Sequence, residues 1–89
     1  MVDVELKSRS AYILKFILEN PESSSIKQIT EKLNITRRTF YYDVEQINDW
    51  LSSEGLGKLV IKSRMVTIDS DRRDELVNRI KEMRVIFIR

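Results

Sequence analysis

Between Leu33 and Arg37 the chain has only Asn34, Ile35 and Thr36 in which to turn. On either side stands a segment whose apolar residues recur every three or four positions. Ile26, Ile29 and Leu33 lie before it, and Phe40, Val44, Ile47 and Leu51 after it. Such recurrence marks a helix that buries one face. Residues 21–25 read as a loop, and Ser25 stands ahead of the first segment with Gln28 three residues on, a capping box. Asn34 tolerates the left-handed backbone that stops a helix, Ile35 plugs the turn, and Thr36 offers a hydroxyl to cap the next helix. Two helices joined so tightly must pack against each other in a helix-turn-helix arrangement.

The second of these helices is expected from Arg37 to about Ser52, and it opens with Arg37, Arg38, Tyr41 and Tyr42. At about 100° per residue, Arg38, Tyr42, Glu45 and Asp49 point away from the apolar stripe, with Tyr41 on its flank. Arg37 lies nearer the core edge but can swing outward from the first turn. A helix N-terminus prefers acids, so two adjacent cations there call for an external anion. In a helix-turn-helix, the side chains at this end lie against base edges in the DNA major groove. Sequence-specific binding of double-stranded DNA is therefore the leading reading, against a merely solvated helix start.

Other residues of the same helix are weighed in the same way. Tyr42 suits a hydroxyl contact to phosphate or a ring contact to a thymine methyl, while Tyr41 is either core or contact. Thr36 is first a cap, and its backbone N–H offers a phosphate contact besides. Phosphates would repel Asp43, Glu45 and Asp49, so only the N-terminal half of the helix should enter the groove. Asp43 is read as a structural ion-pair or cap partner, and Trp50 as core. Glu45 and Asp49 share a face like a carboxylate pair, but with no other catalytic groups they read as a solvated face.

Around this pair of helices the rest of the chain falls into place. A first helix is expected over residues 5–19, with Leu6, Ile13, Leu14, Ile17 and Leu18 at helical spacing, and Pro21 after its end. Tyr12 and Phe16 widen its apolar arc, which makes it a central helix; Ser8, Lys15 and Glu19 remain as its wet face. After Gly55 and Gly57 the period shortens to two: Leu59 and Ile61 alternate with Val60 and Lys62, and Val66 and Ile68 with Met65 and Thr67. Two strands about a turn near Ser63-Arg64 fit this pattern, with the register left open because no Asn-Gly or Asp-Gly is present. A hairpin directly after a recognition helix is a wing. Lys62 and Arg64 at its tip suit phosphate or minor-groove contact, against the common use of edge-strand charges to block aggregation; Lys58 suits it less. Ser70 or Asp71 can cap a fourth helix over about 72–84, with Leu76, Val77, Ile80 and Met83 apolar.

The fold class expected is thus α+β, mainly α: a winged helix-turn-helix with a three-helix core, a two-stranded wing and a C-terminal helix. Residues 1–69 form the winged-helix domain, and residues 70–89 a C-terminal helix and an apolar tail. That tail, Val85-Ile86-Phe87-Ile88-Arg89, either packs as a strand or dimer contact or leads into a further domain.

Composition narrows the functional classes. The 89 residues suit one domain with a modest core, and neither cysteine nor histidine occurs. Disulfides, zinc ligands, thiol nucleophiles and the commonest general base are removed together. No catalytic constellation, metal site or cofactor is expected, and the chain does not read as an enzyme. No apolar run reaches about 20 residues and no basic signal-peptide start is present, so no membrane association and a cytoplasmic location are expected. The net charge of +2 with basic clusters fits a specific DNA binder better than an indiscriminate polyanion binder.

The run Thr36, Arg38, Thr39, Phe40, Asp43, Val44, Ile47, Asn48 and Leu51 resembles the N-terminal winged-helix domain of a bacterial family. Its members are transcriptional regulators of sugar operons that also carry phosphotransferase-system regulation domains, such as the mannitol- and lichenan-type activators. Virulence regulators of the Mga type are relatives. Residues 25–29 and 33–36 are also similar to that family's second helix and turn, and the resemblance spans about residues 6–69. It implies a regulator of a sugar-uptake operon, and the DNA contacts expected for this chain are Ser25, Lys27, Thr36, Arg37, Arg38, Tyr41, Tyr42, Lys62 and Arg64. The chain departs from the pattern at Tyr42, where such domains are often basic, and in a wing without the usual glycine. Control in that family runs through downstream histidines; this chain has none, so such control would lie in regulatory domains outside it. Operators of two half-sites make a homodimer the expected assembly. The competing readings are a winged helix used for protein–protein assembly, and a regulatory domain fused to an enzyme as in biotin-ligase repressors.

Overall fold

The computed structural model describes residues 6–22 and 24–82. Four helices and a two-strand antiparallel sheet follow in the order α1 (Ser8–Glu19), α2 (Ile26–Leu33), α3 (Arg37–Glu54), β1 (Lys58–Lys62), β2 (Met65–Asp69) and α4 (Arg73–Glu82). The fold is a winged helix-turn-helix, as the pattern predicts. Residues 83–89, which hold Met83, Arg84 and the apolar tail, lie outside the described residues.

Each helix boundary has a local cause. Ser25 caps α2 by accepting from the backbone N–H of Gln28 at 3.0 Å. The Gln28 side chain meets the Ser25 hydroxyl rather than its backbone, so the capping box is half formed. Asn34 ends α2 in the left-handed region, at φ 54° and ψ 50°. Thr36 caps α3 through the Thr39 N–H at 3.1 Å. Gly55 caps α3 at φ 67°, so the helix runs to Glu54, two residues beyond the expected Ser52. The start of α1 differs from expectation: Lys7 is extended, at φ −66° and ψ 155°, so the helix opens at Ser8 rather than Glu5. Ser70 accepts from the N–H of Arg72 and closes the turn leading into α4, which begins at Arg73.

The hairpin pairs Lys58 with Asp69 and Lys62 with Met65, which leaves Ser63-Arg64 as a two-residue turn. Both turn residues have positive φ, 53° and 67°, as a type I′ turn demands. At its base Gly57 has φ 113°, and a Cβ there would stand 2.3 Å from the Asp69 carbonyl oxygen; no other residue fits without movement. A pairing invisible to periodicity ties the wing to α2. The N–H of Val66 donates to the Ser24 carbonyl at 2.8 Å, and that of Ile26 to the Arg64 carbonyl at 3.0 Å.

One core unites these parts. Ile13, Leu14 and Ile17 of α1 join Ile26 and Ile29 of α2 and Phe40, Ile47 and Leu51 of α3. Leu59, Val66 and Ile68 from the hairpin and Leu76 and Ile80 from α4 complete it. The α1 helix packs against α3, β2 and α4, which makes it the central helix its broad apolar arc implies. Trp50 is core, 4% exposed. The amide oxygen of Asn48 accepts from the Leu59 N–H at 2.7 Å, bolting the root of the wing to α3.

Candidate nucleic-acid interface

The side chains expected to touch DNA gather at two places. The first is the opening of α3. Thr36, Arg37 and Arg38 are exposed there, and no acid occupies the first turn to offset the helix dipole. Among the described residues Tyr41 and Tyr42 are the large apolar side chains left in solvent, 47% and 48% exposed, while Phe40 between them and the arginines is fully buried. Tyr41 is therefore no core residue; its ring stands edge-on to Phe40, with centroids 5.5 Å apart. The outward order Arg38, Tyr42, Glu45, Asp49 is the one that helical geometry imposes on this sequence.

The second place is where the wing turn meets the start of α2. The Ile26–Arg64 main-chain bond and an antiparallel bridge between Ser25 and Met65 bring Ser25 and Lys27 beside Lys62 and Arg64. Lys27, Lys62 and Arg64 are exposed; Ser25 is half-buried, its hydroxyl engaged in the cap.

Asp43 explains how α3 is held at its working angle. It is 1% exposed and receives a two-pronged grip from Arg9 of α1, with Nε 2.6 Å from Oδ2 and Nη2 2.9 Å from Oδ1. A buried carboxylate is tolerable only when paired and hydrogen-bonded, and side-on guanidinium is the tightest such partner. The bonds to Asp43 hold the Arg9 guanidinium above its ordinary pKa, with burial opposing. Asp43 is thus the ion-pair partner expected, but Arg9 was not identified from sequence. Its signal was Asp43 itself, on the buried side of α3 and in need of a cation. With 16 lysines and arginines available, spacing alone does not choose among them. Lys7 is a second residue that the sequence did not single out. Its ammonium stands 5.9 Å from the centre of the Tyr42 ring.

Among the described residues no helix is long and apolar enough to cross a membrane. A family model described as HTH domain matches residues 9–73. The chain belongs to that helix-turn-helix family, and this is a DNA-binding domain. Comparisons with curated proteins and with solved structures returned no match.

Proposed function

We propose that the protein is a transcriptional regulator that recognises a specific operator, with the first turns of α3 in the major groove and the wing turn on the adjacent backbone or minor groove. The observation that carries this reading is the opening of α3. Two arginines and two exposed tyrosines crowd a helix end whose first turn has no acid, while Asp43 in the next turn anchors α3 to α1. Rigid placement of donors is what base discrimination requires, because a guanidinium must meet N7 and O6 of guanine together. The acids Glu45 and Asp49 lie farther along α3, on the part kept out of the groove.

Control of a sugar-uptake operon, and binding as a dimer to two half-sites, belong to the same proposal. The first is supported by the likeness of residues 36–51 to the sugar-operon regulators, the second by the two-fold symmetry of most operators. Selection of bound DNA from random duplexes tests the whole reading. A single enriched motif, repeated with two-fold symmetry and bound far more weakly when scrambled, is the expected result. Salt-dependent retention of every duplex alike, with no motif enriched, would replace it with non-specific binding.

A further inference from the structure

We propose that Lys7 and Arg9 carry the DNA-contacting surface from α3 onto α1 and grip the phosphate backbone beside the recognition helix; this rests on the DNA-binding reading above. The two side chains meet consecutive residues of α3, Lys7 over the Tyr42 ring and Arg9 on Asp43. The cationic patch at the opening of α3 therefore does not end with that helix. Among the described residues Lys7 has no ion-pair partner, and its ammonium is held over the face of a ring that is itself half in solvent.

Arg9 contributes direction rather than net charge. Its Nε and one N–H of Nη2 are committed to Asp43, while the Nη1 edge is not engaged by that carboxylate and the side chain is 41% exposed. The carboxylate lies buried behind and the guanidinium in front, so the pair is a fixed dipole whose positive end faces outward. A phosphate oxygen suits such an arrangement, since it takes an ammonium and a guanidinium edge without any demand on base identity. Lys7 precedes α1 and Arg9 lies in its first turn, so neither cation stands on the helix that enters the groove, which places them with the backbone and not the bases. An acidic protein segment would find the same charges, and the experiment separates the two.

Duplex binding by the full chain is measured from low to moderate salt for the parent, Lys7→Ala, Lys15→Ala and Arg38→Ala, on the selected site and on scrambled duplex. Lys15 lies on α1 in the groove facing Val77 and Ile80 of α4, away from the proposed contact. Lys7→Ala is expected to lower the slope of log affinity against log salt by about 0.9 on both duplexes, and Lys15→Ala to leave it unchanged. Because Arg9→Ala strands a buried carboxylate and endangers the fold, Arg9 is tested as Arg9→Met with Asp43→Met, which removes the pair whole. With the fold verified by thermal melting, that variant is expected to bind every duplex severalfold more weakly. If Lys7→Ala keeps the parent slope while Arg38→Ala still weakens the selected site, the extension onto α1 is overturned and the reading of α3 stands. If the parent binds no duplex in a salt-dependent way, the DNA-binding reading fails and this inference fails with it.

Discussion

Arg37 and Arg38 are adjacent in sequence and both exposed, yet α3 turns about 100° between them and points them in different directions. Arg38 projects opposite the Phe40, Val44, Ile47 and Leu51 stripe, the side that the proposed reading turns toward the groove floor. Arg37 lies toward the core edge, which on that reading is nearer the passing backbone. Arg38→Ala is expected to cost about 1–3 kcal/mol on the best site and to relax preference at one base pair. Arg37→Ala is expected to weaken all duplexes similarly and to reduce the salt slope by about one unit. Titrations against matched and singly substituted duplexes check both, and a sequence-independent loss for Arg38→Ala would move base readout to Tyr42. The Arg9 and Asp43 pair belongs to the same scale. Arg9→Ala is expected to destabilise the fold by about 2–3 kcal/mol, read from urea unfolding, because water reaches the exposed side of the pair but not the buried carboxylate. The raised guanidinium pKa means that this contribution persists below the ordinary arginine value and fades only as pH rises beyond it. At this scale the sequence shows which residues face outward, since that follows from one helix's own period. It does not show who holds Asp43, since Arg9 lies 34 positions away.

Among the elements, α2 and α3 were legible almost to the residue because their limits are set by side chains within the same few positions. Ser25, Asn34, Thr36 and Gly55 each act on their own backbone. The hairpin was legible as a hairpin, but its register was not, because Ser63-Arg64 carries none of the usual glycine signal. Arg64 nonetheless sits at φ 67°, where a residue with a Cβ is strained by about 1–2 kcal/mol. On the proposed reading, the Arg64 guanidinium offsets that strain by meeting the duplex. Arg64→Gly is expected to stabilise the protein by about 0.5–1 kcal/mol and raise its melting temperature by several degrees, while weakening every duplex and lowering the salt slope. A variant that gained stability and lost no affinity would show the wing tip to be idle. Asn48 makes a second element-level test. Asn48→Ala removes the amide acceptor of the Leu59 N–H, and a loss of about 1–2 kcal/mol, with faster amide exchange in β1, is the expected outcome.

For the molecule as a whole, α4 is more than an appendage of the winged helix. Leu76 is fully buried and Ile80 is 4% exposed, both in the core shared with α1 and α3. Leu76→Ala is expected to cost about 2–5 kcal/mol, a large share of what a domain of this size possesses. A chain cut after Ser70 is expected to lose cooperative thermal unfolding, which calorimetry reads directly. The strip of backbone from Ser24 to Ile26 that pairs with β2 escaped the sequence reading for a related reason: contacts between distant segments leave no period behind. That strip has a consequence for how such a domain diversifies. The wing turn is fastened to α2 through the carbonyl of Arg64 and the N–H of Ile26, atoms that nearly every amino acid supplies. Drift at residues 63 and 64 therefore changes the side chains at the tip without loosening the joint that holds it. On the proposed reading, a lineage can alter how firmly the tip grips the backbone of a duplex while the scaffold beneath stays as it was.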